Sequence, residues 1–570
     1  MWGYNPHSDD PHKFGECMED WLDYGWRKEQ SNLRNLEHCI KNIVIYHIFS
    51  IIIFKKMELL KKSSIEWAFQ FIAKHADGDL FPKVIEFDKI KNYYDYFFNE
   101  FKIKNISSIR PGACRRFIVP KDEISYRQAT QLDPQDSIIL SAIMYEYGNE
   151  IEKRRLSKKQ VYSYRFSPKS DSGLYEDKGM WNRFWKDATK KASSYKTVLY
   201  CDISDFYNQI YHHVLENQLI ESSFPNQIVK WILQLIKSTT ANVSRGVPVG
   251  PHPIHLLAEA SLIPIDNSLK SQGINFIRYA DDIIVFCKNG EEAQINLYKI
   301  AATLDKQQRL TLQRNKTKIY SSIDFKKLSE NMIIDRPINE KEEKIISLIN
   351  KYSSGNPYQF ISLEDIEKED WENISESDIE EIIFAYLDSD NIDFSRLRWF
   401  YRRLSQVGHP GAVEVSIDNI DKLTPCFANI CLYLGNVQLI DNKKWKKIGT
   451  KLLKIFKLPI VQSNEYFRLL IMSVFTKNAQ INHFAKIVKL YDVADPSLRR
   501  EIILSAKQNN AVDWLRERKE KYENMENWER SAFIFGISKL PSDEKKFFLK
   551  DKIYENLYLK VLSHWAKTNE

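Results

Sequence analysis

Residues 275–287 place two adjacent aspartates, Asp281 and Asp282, between two apolar runs rich in β-forming residues. Such runs predict two buried strands, and residues 279–282 between them predict the turn of a β-hairpin. Burying two unpaired carboxylates side by side is costly, so their charge needs compensation, most simply from a divalent metal ion. This stretch therefore predicts an enzyme with a metal site.

The overall composition indicates a globular chain with several domains. With 570 residues, of which 43% are hydrophobic and 28% charged, the chain can bury more than one core. The net charge of +7 permits a nucleic-acid partner without requiring one. The seven cysteines include no CxxC pair. We therefore expect neither a zinc site nor a disulfide framework, but a reducing, cytoplasmic compartment.

The most apolar run, residues 43–54, is too short to span a bilayer. We expect it to form a buried helix, with a helix at a membrane surface as the minor alternative. No membrane partner is therefore expected.

The hydrophobic patterns predict an α+β fold. Residues 1–95 carry helical periodicity, for example in residues 21–37 and 57–74. Residues 114–129 predict a basic β-hairpin, and a helix with Asp133 as its N-cap follows from Pro134 to about Lys153. A β-type run over residues 196–202 ends at Asp202, and a loop rich in glycine and proline covers residues 244–251. Further helices are predicted for residues 208–238, 254–269 and 291–308.

Beyond residue 325 the strand signals end and amphipathic helical segments continue to the C-terminus. They are predicted for residues 341–352, 377–387, 394–404, 445–456, 464–475, 481–491, 496–508 and 526–538. Stacked helix pairs of the HEAT type are one arrangement for such segments, and an irregular helical bundle is the other. The irregular spacing does not separate the two.

Asp202 and Asp281 both lie at predicted strand ends. Two such carboxylates brought together can hold a pair of divalent ions about 4 Å apart. One ion lowers the pKa of an attacking hydroxyl, and the other neutralises charge on phosphates. Mg²⁺ is the expected ion because it prefers hard oxygen ligands and shares its coordination with phosphates, with Mn²⁺ as the alternative.

The motifs of the chain resemble those of reverse transcriptases, over about residues 105–322. The sequence YADD at 279–282 resembles the signature of that family, and its neighbours occur in the family's order. These neighbours are the fingers hairpin from Arg116 to Arg127, the first palm motif DISDFY at 202–207, the substrate-pocket loop RGVPVGP at 245–251 and the fourth palm motif QRNKT at 313–317.

The resemblance implies a right-hand polymerase core. It divides the chain into an N-terminal helical extension (1–95), fingers (96–200), a palm with the YADD hairpin (201–325) and a large α-helical, HEAT-like C-terminal domain (326–570). The implied activity is that of an RNA-directed DNA polymerase, a nucleotidyltransferase. Its implied partners are dNTPs and nucleic acid, namely a DNA product and, for a templated enzyme, an RNA template.

The resemblance also implies roles for single residues. The catalytic residues would be Asp202, Asp281, Asp282 and Lys316, with Lys316 protonating the leaving pyrophosphate. The metal ligands would be Asp202, the carbonyl of Ile203, Asp281 and Asp282. Tyr207 matches the aromatic residue that blocks a ribose 2′-hydroxyl. The dNTP-binding residues would be Lys121, Arg127, Asp205, Phe206, Tyr207, Pro248, Val249 and Gly250.

One position departs from the family pattern. Most members carry Gln where this chain has Val249, and the sequence Val-Gly-Pro is similar to the bacterial branch of abortive-infection and defence-associated enzymes. Members of that branch also carry an N-terminal extension and a long helical C-terminal region. The resemblance therefore implies an antiviral-defence enzyme. Some members of that branch make DNA without a template and start it on their own side chain, so the resemblance admits both properties for this chain. Related enzymes are oligomeric, so a homo-oligomer is expected.

Several alternatives stay open at the level of the sequence. An enzyme that copies a bound noncoding RNA is the rival within the family. A palm retained as a scaffold that senses a phage component is the rival from another class. Asp205 fits a helix cap nearly as well as a position near the triphosphate. His252 and His255 lack further ligands at metal spacing, which favours packing or capping for both.

Overall fold

The computed structural model describes residues 60–74, 80–169, 173–176, 179–333, 337–353, 361–438, 440–481 and 483–568. The predictions for residues 21–37 and for the apolar run 43–54 lie outside this part of the chain. Residues Leu60–Glu570 form one compact unit. The predicted domain boundaries after residues 95, 200 and 325 stay predictions.

The first part of the described chain, up to residue 333, mixes strands and helices. Its strands are β1 (Arg115–Pro120), β2 (Tyr126–Gln131), β3 (Phe166–Lys169), β4 (Gly173–Tyr175), β5 (Thr197–Asp202), β6 (Phe276–Tyr279), β7 (Asp282–Cys287) and β8 (Lys318–Ser321). Its helices are α1 (Lys62–Lys74), α2 (Phe87–Ile90), α3 (Tyr94–Lys102), α4 (Pro134–Arg154), α5 (Met180–Ala192), α6 (Phe206–Gln209), α7 (His212–Glu221), α8 (Asn226–Thr239), α9 (Ile254–Ser271), α10 (Gly290–Gln308) and α11 (Ser322–Ile333).

The central sheet is antiparallel, with its strands in the spatial order β6–β7–β5–β8. Strand β7 is buried along nearly its whole length, because helices cover both faces of the sheet. This explains why its sequence is a continuous apolar run without the alternation of a half-exposed strand. The hairpin predicted around Asp281 is confirmed as β6 and β7.

An aromatic cluster joins the sheet to α5 and α11. Phe184 and Trp185 of α5 and Phe325 of α11 are buried against Val198 and Phe286 of the two inner strands. Large rings bury much apolar area at little cost in side-chain entropy, so this cluster anchors the strands whose ends carry the aspartates.

The predicted fingers hairpin is confirmed as β1 and β2, which pair antiparallel from Arg115 with Gln131 to Pro120 with Tyr126. The predicted helix start is also confirmed, because the Asp133 side chain accepts a hydrogen bond of 2.9 Å from the backbone N–H of Gln135. Pro134 occupies the first turn, where its missing N–H costs nothing. The single predicted helix over residues 208–238 is interrupted, and forms α7 and α8 on either side of Pro225.

The second part of the described chain, from residue 337, is helical. Its α-helices are α12 (Glu340–Ser353), α13 (Lys368–Glu372), α14 (Glu376–Leu387), α15 (Phe394–Val407), α16 (Val413–Asp418), α17 (Phe427–Asn436), α18 (Asn442–Phe456), α19 (Pro459–Gln462), α20 (Glu465–Lys477), α21 (Phe484–Ile487), α22 (Pro496–Gln508), α23 (Val512–Glu517), α24 (Asn527–Ile537), α25 (Ser542–Lys550) and α26 (Leu557–Thr568). Helices α15, α17, α20, α22, α24 and α26 stack in this order, each against the next.

One predicted helix of this part is wrong in form. Residues 481–491 do not form one continuous helix, since α21 is flanked by 3₁₀ turns at Ala479–Ile481 and Val488–Val493. The ring of His483 hydrogen-bonds to the carbonyl of Ile481. This side-chain bond uses a carbonyl that a continuous helix would need, so it favours the break.

No helix in the described ranges combines the length and the apolar character needed to cross a membrane.

Candidate active site

The turn of the β6–β7 hairpin consists of Ala280 and Asp281, between the last strand pair, Tyr279 and Asp282. Ala280 has a φ of +51°, a left-handed conformation that tight hairpin turns require and that costs a residue with a side chain roughly 1–2 kcal/mol. Its carbonyl accepts a hydrogen bond of 2.9 Å from Nη1 of Arg278. A buried guanidinium therefore holds the turn in this conformation.

The sheet register brings the three predicted catalytic aspartates together. Asp282 lies directly opposite Asp202 in the β5–β7 pair. The backbone N–H of Ile203 donates to the carbonyl of Asp281 at 3.1 Å, which holds the turn against the end of β5. Directly opposite residues of an antiparallel pair have their side chains on the same face. Three carboxylates are thus concentrated at the end of two inner strands.

These carboxylates are incompletely compensated by the protein. Burial raises the pKa of Asp281, and the nearby charge of Asp202 raises it further. Burial also raises the pKa of Asp282 to about 7, although the hydroxyl of Tyr200, which donates to Asp282 at 2.6 Å, opposes the shift. The raised carboxyl pKa values mean that burial and the repulsion between the aspartates outweigh the contacts that stabilise the charged forms. A bound cation would supply that stabilisation.

Lys316 supplies one positive charge to this cluster. Its Nζ lies 2.7 Å from Oδ2 of Asp202. Burial opposes the shift, but the hydrogen bond and the charge of Asp202 raise the pKa of Lys316 above its usual value. The backbone N–H of Gln313 donates to the Asp202 carbonyl at 2.7 Å, which docks the segment carrying Lys316 onto the end of β5. One lysine among three carboxylates leaves the cluster net negative.

The donor set fits a hard divalent cation. Carboxylates are the oxygen ligands that Mg²⁺ prefers, and none of the described residues donates a hydrogen bond to the Ile203 carbonyl. In the part of the chain that the structure describes, no three His, Cys, Asp or Glu side chains are already arranged around a common metal position. Lys316 is paired with Asp202, and Tyr200 with Asp282. A cation that binds here would therefore replace Lys316 and Tyr200 as the partner of the two carboxylates.

Two cations of the fingers hairpin, Lys121 and Arg127, were predicted to bind the nucleotide, and Lys121 lies within electrostatic reach of Asp281. Burial lowers the pKa of Lys121, and the charges of Arg127 and Lys316 lower it further, while Asp205 and Asp281 oppose them. Burial and the charge of Arg398 lower the pKa of Arg127. Neither Lys121 nor Arg127 forms an ion pair with another described residue. The hairpin thus carries two cations without an ion-pair partner among the described residues, and Lys121 is the one near Asp281, which suits a triphosphate.

The predicted pocket loop connects the fingers to the palm. The carbonyl of Val249 accepts a hydrogen bond of 2.8 Å from the N–H of Thr130 in β2. Gly250 has a φ of +128°, and a Cβ there would lie 2.9 Å from the Thr130 carbonyl, so this close approach requires glycine. The N–H of Val247 donates to the carbonyl of Tyr207 at 2.9 Å. Pro248, between these contacts, is buried.

The remaining predicted nucleotide-binding residues differ in their surroundings. Phe206 is buried and its ring packs against that of Tyr207, so it offers little surface to a ligand. Asp205 is exposed and occupies the N-cap position of α6, but its carboxylate accepts from the side chain of Asn208 at 2.7 Å and caps no backbone N–H. The hydroxyl of Tyr207 is hydrogen-bonded to Nδ1 of His255 at 2.6 Å.

A buried charge network beneath the hairpin was not predicted. Arg278 donates to both oxygens of Glu259, at 3.2 and 2.9 Å, and to both oxygens of Asp266, at 2.8 and 2.6 Å. Glu259 also accepts from Arg155 at 2.7 Å and from the hydroxyl of Ser163 at 2.6 Å. An arginine inside an apolar strand was the sequence signal that could have revealed it, because a buried charge needs a partner.

Tyr200 was also missed as a contact of the site. It precedes Asp202 by two residues in β5, so the alternation of a strand places both side chains on the same face. That spacing was the available sequence signal.

Comparisons with known proteins identify the domain that contains this site. Residues 119–349, about two fifths of the chain, match the family model described as "Reverse transcriptase (RNA-dependent DNA polymerase)". A comparison with curated protein sequences gives no match.

Among solved structures, the chain is similar to telomerase from Candida albicans in complex with a TWJ fragment of telomeric RNA. That similarity has 11% sequence identity and a TM-score of 0.28, and covers 72% of this chain and 71% of the other. These values are too low to support an argument about the fold, so the assignment depends on the family match. Residues 119–349 of the chain therefore form a reverse transcriptase domain, the domain of an RNA-directed DNA polymerase.

Proposed function

We propose that this enzyme adds dNTPs to a growing DNA strand at the cluster of Asp202, Asp281 and Asp282, and that it serves bacterial antiviral defence. The observation that carries the polymerase assignment is the meeting of these three carboxylates at the ends of β5 and β7. A triphosphate bound at this acidic cluster would receive its compensating charge from Lys121, which interacts with Asp281, and from Arg127 of the same hairpin.

The residues of the chain have distinct parts in this proposal. Asp202, Asp281, Asp282 and the Ile203 carbonyl would hold Mg²⁺, which supplies activation of the attacking hydroxyl and neutralisation of phosphate charge. Lys121 and Arg127 would bind the triphosphate, and Val249 and Gly250 would line the pocket. Lys316 lies 2.7 Å from Asp202, and its ammonium group would deliver a proton to the leaving pyrophosphate.

Two features support assignment to the defence branch. Val249 stands where most of the family has Gln, which supports synthesis without a template and start on a protein side chain. The long helical region after residue 337, in which six of the described helices stack in chain order, supports a HEAT-like array in place of an ordinary thumb. A templated enzyme that copies a bound RNA is the alternative, and sequencing the product separates the two.

The test is incorporation of labelled dNTPs by the purified chain with Mg²⁺. We expect the double variant Asp281→Asn, Asp282→Asn to lose at least about a thousandfold in rate, because the cluster loses two of its three charged oxygen donors. The same variant should be at least as stable as the wild type, since burial already disfavours both charges. Thermal unfolding measures this stability.

Asp305→Asn is the matched control, because this aspartate is exposed on α10 and pairs only with Arg309 among the described residues. Incorporation that survives in the double variant contradicts the catalytic assignment. Phage protection that survives in the double variant supports the scaffold alternative in place of a polymerase.

A further inference from the structure

The ring of Tyr207 is fixed at both ends. Its hydroxyl is hydrogen-bonded to Nδ1 of His255 at 2.6 Å, and the two rings are perpendicular, with centroids 5.8 Å apart. At the backbone end, the Tyr207 carbonyl accepts from the N–H of Val247 at 2.9 Å. Moving the ring away from the pocket would therefore break a hydrogen bond between partly buried groups, which costs more than an exposed one.

Tyr164 holds the imidazole from its other side. The rings of Tyr164 and His255 are stacked, with centroids 4.1 Å apart and an angle of 2° between their planes. Tyr207, His255 and Tyr164 thus form a continuous row in which each ring limits the movement of the next. We call these three residues the aromatic row.

The backbone of Tyr164 is itself held in a strained conformation. Its φ is +45°, which costs an aromatic residue roughly 1–3 kcal/mol and persists only where the surroundings impose it. Arg155 donates to the carbonyls of Tyr164 at 2.8 Å and Ser163 at 2.6 Å, and is paired with the buried carboxylate of Glu259 at 2.7 Å. The charge network that supports the catalytic turn through Arg278 therefore also supports the aromatic row.

We propose that His255 and Tyr164 are positioning residues that immobilise the Tyr207 ring, and that this immobilisation determines the preference for deoxyribonucleotides over ribonucleotides. The inference rests on the proposed function and on the match of Tyr207 to the aromatic residue that blocks a ribose 2′-hydroxyl. It goes beyond that function because it assigns a part in nucleotide selection to His255 and Tyr164, which the size of the Tyr207 ring alone would not need.

The physical reason is that a side chain excludes the ribose 2′-hydroxyl only if it is held rigidly and cannot move aside. A pocket that merely fails to bind an extra hydroxyl discriminates by about a hundredfold at most. A Tyr207 ring that is free to rotate would discriminate even less between the two sugars, because it could move aside for the 2′-oxygen. The hydrogen bond that fixes the ring is made by its hydroxyl group. Removing that single oxygen should therefore weaken discrimination against ribonucleotides, although all carbon atoms of the ring are kept.

The experiment is a double-mutant cycle of Tyr207→Phe and His255→Ala. Its readout is the ratio of the dissociation constants of the α,β-imido analogues of ATP and dATP, which requires no turnover. We expect each single variant to lower the preference for the deoxy form by about tenfold. The double variant should lose no more than Tyr207→Phe alone, because that variant already removes the hydrogen bond between Tyr207 and His255. Tyr164→Ala should lower the preference in the same direction.

His564→Ala is the matched control. It removes another Tyr–His stack, that of Tyr96 and His564, with centroids 4.1 Å apart and planes at 8°, in a part of the molecule away from the sheet. It should leave the ratio unchanged. Tyr207→Phe keeps all carbon atoms of the ring, and its thermal unfolding midpoint shows that a loss of preference is not a loss of fold.

A wild-type ratio in Tyr207→Phe, or losses that multiply in the double variant, would overturn the inference. If the wild type prefers the deoxy analogue but incorporates no dNTP, the polymerase proposal is contradicted, and a lower preference in Tyr207→Phe and His255→Ala still supports the positioning role of the aromatic row. Wild-type binding without preference, or no binding of either analogue, overturns the inference on the row as well.

Discussion

Lys316 has two opposing effects on the carboxylate cluster. Its ammonium lies 2.7 Å from Asp202, and its pKa is raised by that contact, so it stays charged at neutral pH. In the free enzyme this charge competes with a metal ion for the same carboxylate. During the reaction the same charge would stabilise or protonate the pyrophosphate.

We therefore expect Lys316→Met to bind Mg²⁺ several-fold more tightly, while its rate of dNTP incorporation falls by about a hundredfold. The two effects have opposite signs because the lysine repels the ion and assists the leaving group. Calorimetric Mg²⁺ titration and single-turnover incorporation measure them separately. Lys327→Met, at an exposed position of α11, is the control. Weaker Mg²⁺ binding in Lys316→Met would contradict the view that Lys316 competes with the metal ion for Asp202.

At the scale of single elements, the fingers hairpin is braced by the helical part of the chain. A two-stranded hairpin is marginally stable alone. Arg398 of α15 donates to the carbonyl of Lys121 at 2.9 Å, and Asn464 donates to that of Ile118 at 3.2 Å. The ring of Phe117 packs against Tyr466, with centroids 5.9 Å apart. The orientation of the hairpin cations is thus set from outside the fingers.

The double variant Arg398→Ala, Asn464→Asp should raise the KM for dNTPs by about tenfold and change kcat by less than about twofold, because it loosens binding without touching the carboxylates. Aspartate keeps the oxygen that caps α20, which accepts from Tyr466 N–H at 3.0 Å. Steady-state kinetics with varied dNTP concentration measure both constants. Lys454→Ala, exposed on α18, is the control. A change confined to kcat would show that the brace does not act through nucleotide binding.

At the scale of the whole molecule, the last helices of the chain pack against segments that precede the palm. Arg500 of α22 forms a buried two-point ion pair with Glu86, both contacts being 2.7 Å. The indole N–H of Trp528 donates to the carbonyl of Ala113 at 2.7 Å, and the guanidinium of Arg115 lies 4.0 Å from the Trp528 ring. The helical part is therefore integrated with the fingers and not appended to the palm alone.

Glu86→Gln should destabilise the chain by about 2–4 kcal/mol, because the buried Arg500 charge then keeps only its longer contact with Glu501, at 3.9 Å, among the described carboxylates. Replacing both residues, as Glu86→Gln with Arg500→Met, should restore most of this loss. Denaturant unfolding followed by circular dichroism measures both variants. An equal loss of unfolding free energy in the single and the double variant would mean that the Glu86–Arg500 pair contributes to stability only through packing.

The sequence by itself determined the elements whose cause is local. The β6–β7 hairpin, the cap of α4 at Asp133 and seven of the fifteen α-helices described after residue 337 follow from apolar periodicity and from side chains acting on their own backbone. The order of motifs from Arg116 to Thr317 also led to the reverse transcriptase domain. The predicted roles of the site residues stay predictions.

Only the tertiary structure decided which distant side chains meet. The contacts of Tyr207 with His255, of Asp282 with Tyr200 and of Arg500 with Glu86 join residues 48, 82 and 414 positions apart. No local pattern encodes such pairs, because they depend on how sheets and helices pack. The carboxylates could therefore be predicted from the sequence, whereas the residues that position the side chains of the nucleotide pocket could not.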